Sequence, residues 1–264
     1  MRKEDYDDMH ALESDYWWFA GMRRITFALL KRHLPGGALD FLDVGCGTGI
    51  NLLQMCRDFP LRRAVGCDFS SIALAWCRDT IRNAPAHPRG TVPRLSRGDV
   101  RSLPFADASF DLVTSLDVLD VFDPNGEDEK AFAELHRVLR PGGVAFFREP
   151  AYRWLLSSHD TLFDTRHRYT TGELRRKISK AGFRIAGSTY ANTLLFPLAA
   201  GQRLLRRFAG ICPERTDTQP WPPHLQWLNR PFEACLALEA VMLSKGWSLP
   251  FGLSAICIGI KPPV

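Results

Sequence analysis

A short apolar run, Ala38-Leu-Asp-Phe-Leu-Asp-Val44, breaks straight into Gly45-Cys-Gly-Thr-Gly49, and a helical pattern follows. A strand that ends in alternating glycines and gives way to a helix is the first half of a βαβ unit. Such units cross over right-handed and build a parallel sheet with helices on both faces. The chain keeps this rhythm. Residues 63–68 read as a second strand, and 70–82 as a helix capped by Ser70 or Ser71. Further strands are expected near 94–98, 110–115, 142–147 and 183–189, with helices over 130–139 and 171–181. Two helical stretches, around 4–13 and 17–33, precede the first strand and stop at Pro35-Gly36-Gly37. Residues 251–260 read as one last strand. The segment between the last two strands is too long for a plain connection. The expected organisation is a helical N-terminal cap over 1–37, an α/β core over 38–190, a lid insertion over 191–250, and a final strand with its tail over 251–264.

Composition removes other classes. With 264 residues, 45% of them apolar and 24% charged, the chain suits one large domain or two small ones, and no disordered or disulfide-scaffold class fits. Lys and Arg number 34 against 29 Asp and Glu, a net charge of +5 without any dense basic tract, so no nucleic-acid partner is expected. Seven cysteines include no CxxC pair, which argues against a metal site. The first residues are charged rather than apolar, and no apolar run reaches the ~18 residues of a membrane span. A reducing cytoplasmic setting is the expectation.

The glycine spacing is GxGxG. A dinucleotide turn would carry glycine at position 50, which is Ile50, and no Gly-Lys pair follows as in a phosphate-binding loop. Carboxylates recur at the strand ends: Asp43 on the first, Asp68 on the second, Asp99 after the third and Asp117 after the fourth. Ligands of open α/β sheets bind at those ends. Asp68 is placed to accept the two hydroxyls of a ribose, and Asp99 to accept from the exocyclic amine of adenine. Four acids repel a pyrophosphate and attract a cation. S-adenosylmethionine, with its sulfonium and ammonium groups, fits this pattern; a nicotinamide dinucleotide does not.

On these residues the chain resembles a class I S-adenosylmethionine-dependent methyltransferase of the type 11 sort. Leu42-Asp-Val-Gly-Cys-Gly-Thr-Gly49 matches the family's cofactor loop, and Gly66-Cys-Asp-Phe-Ser70 its ribose motif. The run from Gly98 to Asp120 matches the adenine motif and fourth strand, and Leu135-His-Arg-Val-Leu-Arg-Pro-Gly-Gly143 the lead into the fifth. The resemblance implies a Rossmann-like, doubly wound sheet of seven strands with the last antiparallel. It implies that Asp43, Gly45, Cys46, Gly47 and Gly49 cradle the aminoacyl part of the cofactor. Asp68 would hold the ribose, Phe69 pack on the adenine, and Asp99 and Val100 bind its edge; Asp117 is a further cofactor-binding candidate. Trp17, Trp18 and Phe19, followed by Arg23 and Arg24, resemble an N-terminal cluster of some relatives. There Trp18 would cover the site and Arg23 clamp the cofactor carboxylate; the same aromatics also suit the core face of one helix. The Leu-Glu-His that many relatives carry after the fourth strand is Leu119-Asp120-Val121 here, so that histidine is missing.

Methyl transfer to a hydroxyl or ammonium needs a general base. The candidates are His159, His167, Tyr169 and Asp120, all expected on loops near strand ends, with His10 a weaker one. Glu134 and His136 fall within a helix, away from those ends. Leu194, Leu195, Leu198, Leu205 and Phe208 share a helical face with Arg203, Arg206 and Arg207 off it, a pattern of an ordinary lid helix or of a peripheral membrane contact. The expected activity is O-, N- or C-methylation of a small or amphipathic, small-molecule acceptor, lipid-linked or apolar acceptors included, in small-molecule biosynthesis. The competing reading is a methyltransferase-like protein that is non-catalytic or catalyses a rearrangement or cyclisation.

Overall fold

The computed structural model describes residues 3–14, 16–85, 91–123, 126–156, 160, 164–208 and 222–263. Seven strands form one sheet in the order β3-β2-β1-β4-β5-β7-β6: β1 (Leu39–Val44), β2 (Leu61–Asp68), β3 (Arg94–Arg97), β4 (Phe110–Leu116), β5 (Leu139–Pro150), β6 (Arg184–Ala191) and β7 (Ser254–Ile260). The first five pair in parallel, and β7 runs antiparallel to both β5 and β6. This is the expected fold. Every residue of β1 is buried, as a central strand covered on both faces requires.

Alternate strand residues feed two separate cores. Phe41, Phe146 and Ile256 pack with α2 (Trp17–His33), α3 (Ile50–Asp58) and α4 (Ser71–Asn83). Leu42, Val113 and Phe147 face α5 (Glu127–Val138) and α6 (Thr171–Lys180). Ser70 caps α4, accepting from the Ala73 amide at 3.3 Å. The sixth strand ends at Ala191, so the ends of β4, β5 and β6 and the start of β7 share one edge of the sheet with the glycine turn after β1.

Two elements differ from expectation. β5 begins at Leu139 rather than Gly142, because Leu139 pairs with Phe110 before a bulge at Pro141-Gly142-Gly143. The 191–250 segment is not one lid. Its first helix, α7 (Phe196–Phe208), stays at the surface, whereas α8 (Asn229–Ser244) belongs to the core. Leu236, Ala240 and Leu243 of α8 are buried against α2, Phe232 meets Trp17 edge-on at 5.2 Å, and Glu233 pairs with Arg24 at 3.2 Å. The buried Glu239 carboxylate accepts from the Asn192 and Leu194 amides, each at 2.7 Å. It fastens α8 to the end of β6. Only one face of α8 is buried; Leu238 and Val241 on the other are exposed.

Gly21 is where α2 and α8 touch: a Cβ there would lie 2.3 Å from Leu236 Cδ1. Glycine to alanine in an exposed helix stabilises by about 1 kcal/mol. Overpacking costs about 1–3 kcal/mol. Gly21→Ala is therefore expected to destabilise by up to roughly 2 kcal/mol in chemical denaturation. A stabilised variant would mean that α8 is a detachable lid after all.

Candidate functional site

The site starts at the turn after β1. Gly45 has φ +70° and Gly49, at the N-terminus of α3, has φ +89°. A Cβ at Gly45 would lie 2.3 Å from Val118, and one at Gly49 would lie 2.4 Å from Cys77 Sγ. Side chains are excluded at both places by conformation and by space. Cys46 points inward beside Cys77, and burial and that neighbour push its thiol far up. Its place is the core side of the turn, not the ligand side.

Two carboxylates flank this turn. Asp43 is buried and accepts from Thr114 Oγ1 at 2.5 Å. Asp68 accepts from the Gly47 amide at 3.0 Å and the Ser70 amide at 2.8 Å, one on each oxygen. Burial pushes Asp43 up to about 7, with the nearby Asp68 adding to the rise, and burial also raises Asp68. Among the described residues neither has an ion-pair partner within 4 Å. Desolvated acids that are not ion-paired favour a positively charged ligand and disfavour a phosphate.

Helix α1 (Lys3–Leu12) roofs the turn. The Met9 methyl lies 3.7 Å from a Cβ position on Gly47. Thr48 donates to the Glu13 carboxylate, which burial pushes up to about 7. His10 stacks on Trp76 at 4.5 Å, and Trp76 donates to Asp7 at 3.0 Å, so α1 is also tied to α4. Arg23 is not aimed into the crevice. Both its terminal nitrogens donate to the Glu13 carbonyl at 3.2 Å, which shapes the α1–α2 turn. Arg23 thus positions the roof, and the expected clamp on a carboxylate is not what its geometry shows.

Further along the edge, Asp117 sits at φ +57° and is gripped by the buried Arg148, through Nε at 3.1 Å and through Nη2. The Arg148 guanidinium also lies over the Trp18 ring at 5.5 Å. Trp18 therefore reaches the site, while its neighbour Trp17 packs on α8. Beyond the end of β2 Phe69 is exposed beneath the Arg97 guanidinium at 5.7 Å, and the Val100 side chain is buried in the core. Arg101, paired with Asp99 at 2.7 Å, holds that carboxyl below its usual range.

The candidate bases separate clearly. Tyr169 is fully buried and donates to Asp128 at 2.9 Å and to the Leu119 carbonyl at 3.2 Å. Asp128 in turn pairs with Lys177 at 2.8 Å. Burial and those carboxylates raise the phenol well above its ordinary value, so Tyr169 is a core strut rather than a base. His167 is buried, with Nε2 2.9 Å from Glu173. His159 lies outside the described residues. Asp120 is buried: Oδ2 accepts from Thr165 at 2.6 Å, while Oδ1 has no partner. Burial, with the Asp117 charge beside it, pushes Asp120 up to about 7. Glu149 joins it, raised well above its ordinary value by burial and by Asp120, and its carboxylate accepts from the Leu119 amide at 3.2 Å.

Residues 42–147 match the family described as "Methyltransferase domain". These residues form a class I S-adenosylmethionine-dependent methyltransferase domain. It is 34% identical over 139 residues to a malonyl-[acyl-carrier protein] O-methyltransferase of Hahella chejuensis, covering 52% of this chain and 46% of that protein. It is 38% identical over 102 residues to a demethylmenaquinone methyltransferase of Thermus thermophilus, covering 39% and 43%. The chain thus spans about half the length of these curated relatives. The crystal structure of the [4+2]-cyclase SpnF superposes with a TM-score of 0.63 at 21% identity, covering 99% of this chain and 93% of that one, a likeness of fold. S-adenosylmethionine is the cofactor the site fits.

A cation that binds beside Asp43 favours the ionised carboxylate and so lowers its pKa from about 7. Binding then releases a proton, and affinity rises as pH climbs through that value. Between pH 6 and pH 8 the affinity for S-adenosylmethionine is expected to rise about tenfold in calorimetric titrations. An affinity flat across that range would remove Asp43 from the site.

Proposed function

We propose that the protein transfers a methyl group from S-adenosylmethionine to a small or amphipathic acceptor bound over the β4–β5–β7–β6 half of the sheet edge. The observation that carries this reading is the division of that edge. The acids and glycines lie at β1 and β2, and aromatics gather at the ends of β5 and β6 and the start of β7. Tyr152 stacks on Tyr190 at 5.2 Å and meets Phe196 at 5.7 Å, and Phe196 meets Phe251 at 5.4 Å. Tyr152, Arg153, Trp154, Leu156 and Thr170 line a cleft of about 760 Å³ beside them. Adjacent strands lie about 4.8 Å apart, so β5 is roughly 10 Å from the cofactor turn. That suits an acceptor held by its apolar part in the cleft while its reacting atom reaches back toward β1. The acceptors in the two relatives' names differ from each other, so the acceptor class here rests on the cleft.

When bound, S-adenosylmethionine supplies an activated methyl with S-adenosylhomocysteine as the leaving group. The protein's part is alignment and, for an acceptor hydroxyl or ammonium, removal of its proton. Asp120 is the group we assign to that step. Its Oδ1 is buried and unpaired, and a pKa of about 7 lets it exist as a base at neutral pH and hold the proton afterwards. Thr165 fixes the other oxygen.

The direct test treats a metabolite extract with the protein and isotope-labelled S-adenosylmethionine and follows the label by mass spectrometry. A labelled acceptor of small or amphipathic character supports the reading. Tight cofactor binding with no labelled product would favour the non-catalytic or cyclising alternative. With that acceptor, Asp120→Asn is expected to lower kcat about 10²–10⁴-fold, leave cofactor affinity unchanged, and abolish the rate change near pH 7. An unchanged kcat would remove Asp120 from the chemistry.

A further inference from the structure

The cleft beyond β5 is built on a strained residue. Tyr152 sits at φ +61°, a left-handed backbone that a bulky side chain rarely adopts. Strain of that kind persists only where the surroundings hold it, and it concentrates at binding sites. Here the holding groups lie on two sides. The Tyr152 amide donates to the Tyr169 carbonyl at 3.0 Å, its ring stacks on Tyr190, and the two phenols are hydrogen-bonded to each other. The Thr171 amide donates to the Tyr190 hydroxyl at 3.2 Å. One wall of the cleft is thus a fixed aromatic surface, which Trp154 and Leu156 extend.

The charge on the cleft has one sign. Among the described residues that line it there is no acid, and there is one cation, Arg153. Arg153 is exposed and makes no hydrogen bond or ion pair with a described residue. Two more guanidinium groups stand behind the same loop. Arg168 is buried and donates to the Ala151 carbonyl at 3.1 Å, and Arg203 donates to the Leu155 carbonyl at 3.0 Å. Arg168 is matched by Asp160 at 2.6 Å, while burial and the nearby Arg203 hold it below its ordinary value. A cation without a protein partner beside an apolar wall favours an anion carried on an apolar body. This end of the sheet edge therefore admits the charge that the acids at β1 and β2 repel. The reach is fixed too. Thr165 holds Asp120, and Thr170, five residues on, lines the cleft. Five residues of extended chain span at most ~17 Å.

We propose that the acceptor is an anionic amphiphile, with Arg153 taking its carboxylate or phosphate and Tyr152, Trp154 and Leu156 holding its apolar body. This rests on the cleft being the acceptor site of the transferase. The test follows tryptophan fluorescence as octyl phosphate, octanoate or octanol is added to the full chain. Both anions are expected to bind at least about tenfold more tightly than the alcohol, and the tighter of the two identifies the group as phosphate or carboxylate. Trp154→Phe is expected to remove the signal. Arg153→Glu is expected to weaken both anions about tenfold while leaving octanol binding and the affinity for S-adenosylmethionine unchanged, and Arg153→Lys to keep most of the preference. Octanol bound as tightly as the anions, a preference that survives Arg153→Glu, or a signal that survives Trp154→Phe would each overturn the proposal. These titrations measure no methyl transfer, so they fail separately from the labelling experiment. A labelled acceptor without an anionic group would keep the transferase reading and overturn this one. An extract that takes no label, with the anion preference intact, would sink the transferase reading and support an anion-binding cleft.

Discussion

The half-buried carboxylate of Asp68 organises the ligand edge of this fold. It accepts from the Gly47 amide across the crevice and from the Ser70 amide at the start of α4, so one side chain joins the turn after β1 to the turn after β2. Asp43 stands beside it, buried and pushed up to about 7. Two acids without a counter-ion are costly in an empty pocket and favourable around a cation. The glycines, the roof of α1 and the order of the strands all serve to hold that pair at the bottom of a covered crevice. Met9 over Gly47 and Thr48 on Glu13 show how closely the roof sits.

From this pair the sheet edge changes character in one direction. At β4 and β5 the acids Asp117, Asp120 and Glu149 lie together, with Arg148 linking Asp117 to the Trp18 ring of the N-terminal cap. At β7 and β6 the lining becomes aromatic, through Tyr190, Phe196 and Phe251. A ligand that is charged at one end and apolar at the other is matched by such a gradient. Two ligands, one cationic and one apolar, are matched equally well, with the Asp120 carboxylate between them.

The glycine turn and the acids at the strand ends were legible because each is a local signal with a fixed spacing. Ser70 as a cap followed in the same way, while the antiparallel last strand was implied by the family resemblance. Other features depend on partners far along the chain. Tyr169 reads as a loop residue until Asp128 is seen beneath its hydroxyl. Arg23 looks like a ligand clamp until the Glu13 carbonyl takes both its nitrogens. The segment 191–250 reads as one lid because nothing local says that Glu239 is seized by the amides after β6. Arg148 and Glu149 did leave a trace: two charges closing the apolar run Val144–Phe147 are out of place in a buried strand unless they serve a site.

The central claim is that the crevice at the ends of β1 and β2 selects a positively charged adenosyl ligand over a phosphate-bearing one. The most direct measurement is a pair of calorimetric titrations under one set of conditions, S-adenosylmethionine in one and a nicotinamide dinucleotide in the other. The account predicts saturable binding of the sulfonium compound and no heat of binding from the dinucleotide. Binding of the dinucleotide, with S-adenosylmethionine silent, would contradict it.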